Sequence, residues 1–416
     1  MFKRLRCLRM LPIQLLFGLV VCTWIPSLFF DWNYLYQDMS SVRTFNIIIS
    51  CLLIIFTLFT LSLIHRFPGI TSLSYILPIL FFWFIVLLGL AEVLNLPLYL
   101  MYYCLSALCL LSYLFIIYMI KRHYEVQTLA YIPIGRAIDM PEQVPSAAWL
   151  KLDTTCLDQS VNGIVADLHS YDLTDEWQQF IANKTLQGIP VYHHRHIRES
   201  LTGRVKINHM YENDLGSLLP SYNYMVVKRF LEIALILVSI PITIPIILIT
   251  IVLIKLESSG PVLFMQQRVG VGGKEFIIYK LRSMSKDSES NGAKMASKSD
   301  MRVTRVGKFI RKTRIDELPQ FWNIIKGEMS LIGPRPEQKF FVDEFDNTIP
   351  FYNYRHIVKP GITGWAQVMH GYAADEDETK IKVEHDFYYI KHFSFTLDLL
   401  IVFKTLHTMI TGFGAR

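Results

Sequence analysis

Charge is what this 416-residue chain has little of. Only 18% of its residues are Asp, Glu, Lys or Arg, against 52% hydrophobic, whereas a soluble globular domain is nearer a quarter charged. That apolar excess is too large for one ordinary core. It excludes a disordered chain, a purely soluble enzyme and a nucleic-acid-binding tail as the main architecture. Cysteine organises nothing either. Cys7, Cys22, Cys51, Cys104, Cys109 and Cys156 form no CxxC pair and no Cys/His ligand spacing, which argues against a disulfide framework or a zinc site. Also missing are a GxGxxG turn after a strand and a P-loop. Gly270-Val271-Gly272-Gly273 fits neither and reads as a hairpin turn.

The charge that exists is unevenly placed. Residues 1–120 hold six Lys/Arg and three Asp/Glu, residues 121–254 eleven and thirteen, and residues 255–416 twenty-four and nineteen. Four apolar runs in the first block, Leu11–Phe30, Phe45–Ile64, Ser74–Leu96 and Leu98–Ile120, match the roughly 20 residues needed to cross a bilayer. Lys3, Arg4, Arg6 and Arg9, then His65 and Arg66, then Lys121, Arg122 and His123 mark cytoplasmic ends, while Asp31 and Asp38 outweigh Arg43 on the outer side. No ionised residue lies mid-span, and Glu92 is near an end, so an ion-coupled transporter is disfavoured.

A fifth run, Phe230–Ile254, has Lys228 and Arg229 before it and Lys255, Arg268 and Lys274 after it. Both flanks read as cytoplasmic. Pro241 and Pro245 sit near its middle, and proline bends or breaks a helix. Divided at Pro245, neither half spans a hydrocarbon core of about 30 Å. The pattern predicts a re-entrant hairpin over residues 225–256. The competing reading, a proline-kinked fifth span, would put the basic C-terminal block outside, against the charge rule.

Residues 123–220 are soluble in composition. LAYIPIG, AAWLKLD, GIVADL and IPVYHH read as strands and Asp175–Gln187 as a helix, which predicts a small Rossmann-like α/β domain. In His193, His194, Arg195 and His196, a strand would put His194 and His196 on one face. No carboxylate follows at useful spacing, so a surface cluster is expected rather than a metal site.

Chemistry concentrates beyond residue 255. Arg302, Arg305, Lys308, Arg311 and Arg314 recur every three residues with no acid between them, which suits lipid or diphosphate phosphates as well as a solvated face. Asp316 and Glu317 follow as adjacent carboxylates. Such a pair suits Mg²⁺ and offers a nucleophile toward phosphorus, but it also commonly marks a helix start. In Gly333-Pro334-Arg335-Pro336, two prolines flank one arginine, whose planar fork matches phosphate oxygens. Lys359-Pro360-Gly361-Ile362-Thr363-Gly364-Trp365-Ala366-Gln367-Val368 permits close backbone approach, with Trp365 as a wall or an interface anchor.

Together these segments resemble the bacterial sugar transferases, the polyprenyl-phosphate hexose-1-phosphate or monotopic phosphoglycosyl transferases. The resemblance runs nearly continuously from Tyr224 to Arg416. It includes Pro261-Val262-Leu263-Phe264, Gln267-Arg268-Val269-Gly270 and Tyr279-Lys280-Leu281-Arg282-Ser283-Met284. The four preceding spans and the α/β segment are similar to the larger members. The resemblance implies transfer of sugar 1-phosphate from a UDP-sugar to polyprenyl (undecaprenyl) phosphate, with UMP released. This would be the first membrane step of exopolysaccharide, capsule or O-antigen synthesis. It implies Asp316 as nucleophile, forming a covalent phosphosugar intermediate, with Glu317 as its partner and Mg²⁺ bound at both. It implies phosphate or substrate contacts from Arg335, Arg311, Arg282 and Lys280, with Gln367 as a weaker transfer to substrate binding, and further weaker transfers to Glu384 and Asp386. Where members often carry a small polar residue before the hairpin proline, this chain has Ile244. The favoured sugars are glucose or galactose, with an N-acetylated or amino sugar open; homo-oligomerisation is also open.

The expected architecture is membrane α plus α/β. A four-helix transmembrane domain (1–122) precedes a cytoplasmic α/β domain (123–220) and a catalytic domain (221–416) with the re-entrant helix. The expected location is the bacterial inner membrane, multi-pass, with the catalytic domain on the cytoplasmic face and no nucleic-acid partner. A polysaccharide-precursor transporter would require charges inside spans; an inactive scaffold would have lost the acid pair or Arg335. The apolar Leu397, Leu400, Ile401, Leu406 and Ile410, with Lys404 and His407 polar, suggest a C-terminal helix lying on the membrane or in the core.

Overall fold

The structure, a computed structural model, describes residues 11–29, 39–64, 67, 75–124, 128–157, 159–207, 219–284, 303–370 and 376–411. The chain divides into two compact units, Met1–Thr202 and Gly203–Arg416.

The first unit opens with four long helices, α1 (Leu11–Phe29), α2 (Met39–Ile64), α3 (Ile76–Val93) and α4 (Leu100–Tyr124). Each is long and apolar enough to cross a membrane. They pack through Leu53, Ile54, Leu58, Leu110 and Tyr103, yet Trp24, Leu28 and Phe81 stay exposed. Exposed large apolar side chains on a packed bundle are the mark of a lipid-facing surface. One buried polar side chain braces the bundle. The fully buried Asn46 donates to the carbonyls of Val42 (2.8 Å) and Pro97 (3.2 Å) and accepts the Tyr99 amide (2.9 Å), so it ties down the tight α3–α4 link. Of the residues predicted to set sidedness, Lys3, Arg4, Arg6, Arg9, Asp31, Asp38, His65 and Arg66 lie outside the described residues.

The same unit continues as β1 (Thr128–Tyr131), α5 (Met140–Gln143), β2 (Ala148–Lys151), β3 (Gly163–Ala166), α6 (Asp175–Leu186), β4 (Val191–His193) and α7 (His194–Thr202). The strands are all parallel, in the order β2-β1-β3-β4. Ala130, Ile164 and Ala166 pack on Phe180 of α6. Leu129 and Val165 face Met140 of α5, Val144 just after it and Ile197 of α7. Both faces are therefore covered, which explains the apolar runs. One expectation is overturned here. The strand stops at His193 and a helix starts at His194, so His194 and His196 do not share a strand face.

The second unit begins with α8 (Tyr222–Glu257), 36 residues with Pro241 and Pro245 inside it. Next come the antiparallel β5 (Leu263–Val269) and β6 (Glu275–Leu281), joined by the expected glycine turn; Gly272 (φ 64°) and Gly273 (φ 76°) are left-handed there. Then follow α9 (Arg305–Lys312), a tight turn Ile315–Gln320, α10 (Phe321–Lys326), β7 (Ser330–Ile332), α11 (Lys339–Thr348), β8 (Gly361–Thr363), α12 (Trp365–Met369), α13 (Glu376–Lys391) and α14 (Phe395–Thr411).

Burial along α8 is discontinuous. Lys228, Glu232 and Ile236 are buried, then Thr250 and Ile254, and nothing between them. The first stripe is anchored by Lys228, whose ammonium donates to Asp398 (2.6 Å), Tyr389 (2.8 Å) and the Ile332 carbonyl (2.8 Å). Glu232 accepts from the Ser330 hydroxyl and the Leu331 amide. Past the second stripe, Arg282 donates to the carbonyls of Ser258 (2.8 Å) and Ser259 (2.9 Å), and the Glu257 carboxylate accepts the amides of Arg305 and Val306.

The C-terminal α14 is a core helix. Leu397, Leu400, Ile401 and Phe403 are buried, and Lys404, expected on the polar side, is buried too, its ammonium 5.5 Å from the Trp365 ring centre. Trp365 is itself fully buried, donating to the Gly203 carbonyl (2.9 Å) and stacked on Tyr388. It holds the core together and forms no external wall.

Candidate active site

Three chain segments converge on the adjacent acids. The first is α9 with the turn after it. Thr304 caps α9, its hydroxyl accepting the Gly307 amide at 2.9 Å. Gly307 lies so close to the Ser283 carbonyl that a Cβ there would overlap it. This approach lets Arg311 Nε donate to Ser283 Oγ at 2.8 Å. Arg314 then adopts a left-handed conformation (φ 59°), which costs energy for a residue with a side chain and is typical of functional turns. The chain reverses there and delivers Asp316 and Glu317 inward, 7% and 4% exposed.

The second segment is β6. Asn323 of α10 is fully buried; its amide nitrogen donates to the Ile277 carbonyl (2.6 Å) and its oxygen accepts the Tyr279 amide (3.3 Å). This joins the helix after the acids to the strand carrying Lys280. The third is the loop after β7, which carries Arg335.

Glu317 collects the cations. Its Oε1 accepts from Lys280 (3.4 Å) and Arg335 (3.2 Å), and its Oε2 from Arg314 (3.1 Å). Burial alone would raise its pKa, but Lys280, Arg335 and Arg314 outweigh burial and hold it well below the carboxylate range. Asp316 is shifted the other way. Burial and the neighbouring Glu317 charge push its carboxyl up to about 6, against the pull of Lys280, Arg314 and Arg311. Its Oδ1 is buried without a hydrogen-bond partner among the described residues. Burial lowers the Lys280 ammonium to about 8. Two adjacent acids thus differ in kind. Glu317 is a permanently charged keystone, and Asp316 is a less stabilised carboxylate with an uncommitted oxygen.

Asp316, Glu317, Lys280, Arg335 and Arg314 are therefore gathered at one place, with Arg311 close enough to influence Asp316. Arg282 is engaged elsewhere, clamping the end of α8. Gln367 makes no hydrogen bond to the acids, and both its amide atoms are buried without a partner among the described residues. Asp386 pairs with Arg355 at 2.8 Å, and the Glu384 carbonyl accepts the Val205 amide. Arg302 lies outside the described residues.

A divalent cation was expected at both acids. Both oxygens of Glu317 are already taken by cations, while Asp316 Oδ1 is open. A hard oxygen donor of this kind fits Mg²⁺, which would be held by Asp316 and not by Glu317.

The histidine cluster gains a partner that sequence spacing had hidden. Asp167 Oδ1 lies 3.5 Å from His193 Nε2 and 3.7 Å from His194 Nδ1. The acid is 26 residues upstream but sits at the end of the adjacent parallel strand. These contacts are too long for hydrogen bonds. His193 Nδ1 accepts the Arg195 amide (3.2 Å), which leaves its proton on Nε2, the atom facing Asp167. Asp167, His193 and His194 bring three ligand atoms within 4.8 Å of one another, and His194 is buried, so the cluster does not lie on the surface.

Comparison with known proteins identifies relatives of the chain. The family model described as bacterial sugar transferase matches residues 223–412. A UDP-N-acetylgalactosamine-undecaprenyl-phosphate N-acetylgalactosaminephosphotransferase of Aeromonas hydrophila is 53% identical over 352 residues, covering 84% of this chain and 83% of its own. A UDP-glucose:undecaprenyl-phosphate glucose-1-phosphate transferase of Klebsiella pneumoniae is 42% identical over 188 residues, 44% of this chain and 40% of its own.

Proposed function

The chain belongs to the bacterial sugar transferase family, and on that premise we propose that it moves N-acetylgalactosamine 1-phosphate from its UDP-sugar to undecaprenyl phosphate. The products are an undecaprenyl diphosphate sugar and UMP. The observation that carries this reading is the split acid pair, with Glu317 neutralised by three cations and Asp316 keeping a buried, unpartnered oxygen. The choice of sugar rests on the Aeromonas hydrophila relative, which matches along most of both chains, whereas the Klebsiella pneumoniae glucose enzyme matches over less than half of this one. We place the reaction at the first membrane step of exopolysaccharide, capsule or O-antigen synthesis.

In this mechanism an Asp316 oxygen attacks the β-phosphorus of the UDP-sugar. The new O–P bond forms as the bridging P–O bond breaks and UMP departs. A lipid phosphate oxygen then attacks the same phosphorus and frees Asp316. Phosphoryl transfer depends on alignment and charge stabilisation. Arg335 and Lys280 supply cations where the diphosphate oxygens lie, and Glu317 holds both in place. Mg²⁺ at Asp316 would add Lewis-acid neutralisation of the diphosphate. A panel of UDP-sugars with undecaprenyl phosphate, read as UMP release, tests the reaction and the sugar together. The N-acetylgalactosamine donor is expected to lead the panel; UMP from none of them would reject the reading.

The attack requires the Asp316 carboxylate, and the carboxyl is raised to about 6. Below that pH, kcat/KM, which reports the free enzyme, should therefore fall about tenfold per unit. A flat profile down to pH 5 would contradict this assignment.

We further propose that α8 is re-entrant and that the catalytic unit lies on the cytoplasmic face of the inner membrane. Support comes from the two buried stripes of α8, both seated on the second unit, with the proline-containing stretch between them carrying no buried residue. Opposite ends of a spanning helix would be separated by a core of about 30 Å. Cysteines introduced just after Lys255 should react only with reagents on the cytoplasmic side. Exclusive labelling from outside would overturn the hairpin.

A further inference from the structure

The loop bearing Arg335 is held in an unusual way. Pro334 and Pro336 have no amide hydrogen, so the loop around Arg335 can be anchored mainly through its carbonyls. Four consecutive carbonyls are each occupied. Pro334 O accepts the Gly361 amide (2.9 Å), Arg335 O accepts Arg355 Nη2 (2.9 Å), Pro336 O accepts Arg268 Nη1 (3.0 Å) and Glu337 O accepts the Val269 amide (3.0 Å). Two of the four donors are guanidinium groups, and the acids they pair with are Glu337 and Asp386.

Both guanidiniums are fixed from behind. Arg355 is 3% exposed, pairs with Asp386 of α13 (2.8 Å) and donates to the Tyr352 hydroxyl (2.7 Å). Arg268 also faces Glu337 (3.5 Å), which Lys382 of α13 holds at 2.8 Å. Arg335 therefore projects from a peptide segment held by two backbone amides and by two guanidiniums, Arg268 of β5 and Arg355 of the turn Tyr352–Ile357, which acidic side chains and α13 secure from behind.

We infer that Arg355 and Arg268 are positioning residues for Arg335. They orient the Arg335 backbone so that its guanidinium meets the donor diphosphate, and they act on the reaction only through it. The inference rests on the proposed role of Arg335. Its physical basis is that a displacement of about 1 Å in a positioned group can cost on the order of 100-fold in rate, while a hydrogen bond from a charged, immobilised donor to a carbonyl resists such displacement.

The test is a double-mutant cycle on the full chain in membranes, with radiolabelled UDP-N-acetylgalactosamine, undecaprenyl phosphate and UMP release as readout. Arg268→Met and Arg355→Met are each made alone and with Arg335→Ala. Alone, each should lower kcat/KM about 10- to 100-fold. Combined with Arg335→Ala, each should add less than about twofold, because the group they position is gone. A structural role would give the same factor in both backgrounds and would overturn the inference. Arg355→Met strands the buried Asp386 charge and can impair folding. The Arg268→Met arm, at a side chain 17% exposed, decides the question by itself. If Arg335→Ala alone changes UMP release by less than twofold, the proposed role of Arg335 fails, an outcome distinct from additivity in the cycle.

Discussion

Asp316→Asn should reduce UMP release by on the order of 1000-fold or more, and no labelled phosphosugar should remain on the denatured protein. Asparagine keeps the size and shape of the side chain but lacks a nucleophilic oxyanion. The fold should tolerate the change. Asp316 gains little from being charged where it is, since burial and Glu317 both oppose ionisation. The three cations nearby are matched to Glu317, which the substitution leaves intact. Loss of activity with an unchanged melting temperature would therefore report chemistry. Full turnover by Asp316→Asn would sink the nucleophile assignment while leaving the reaction class standing.

Arg335→Lys is expected to cost about 100- to 1000-fold in kcat/KM, comparable to deleting one donor that stabilises transition-state charge. Lysine keeps the positive charge but loses the planar fork that matches two phosphate oxygens. Glu317 would still be held by Lys280 and Arg314, so the acid pair should stay in place. A rise in KM for the UDP-sugar together with a fall in kcat is the expected signature. Activity within threefold of the parent protein would show that Arg335 does not contact the diphosphate.

Much of this molecule is readable along the chain because its signals are local. The four apolar runs agree with the helices to within a few residues except at the start of α2, which begins at Met39 rather than near Phe45. The strand segments pair in parallel, and the glycine stretch 270–273 turns a hairpin. Asp316 and Glu317 are neighbours in sequence, and Arg335 is marked by its flanking prolines, so the centre of the candidate site was visible before any fold was considered. Pairings made across the fold were not visible. Arg355 reaches the Arg335 carbonyl from 20 residues away, and Asp167 reaches His193 through a neighbouring strand. Arg282 has the same composition signature as Lys280 two residues earlier, yet it is spent on the end of α8.

By itself the amino-acid order determined where the chain is apolar enough for membrane, where it turns, and which reactive groups are adjacent, because each of these depends on residues a few positions apart. The tertiary structure alone decided which cation meets which carboxylate. Asp316 and Glu317 are near-identical acids in sequence, and only the convergence of Lys280, Arg314 and Arg335 on one of them separates their roles. The reason is electrostatic. In a buried site a carboxylate's energy is set by the few charges within several ångströms, and those charges come from segments that only folding brings together.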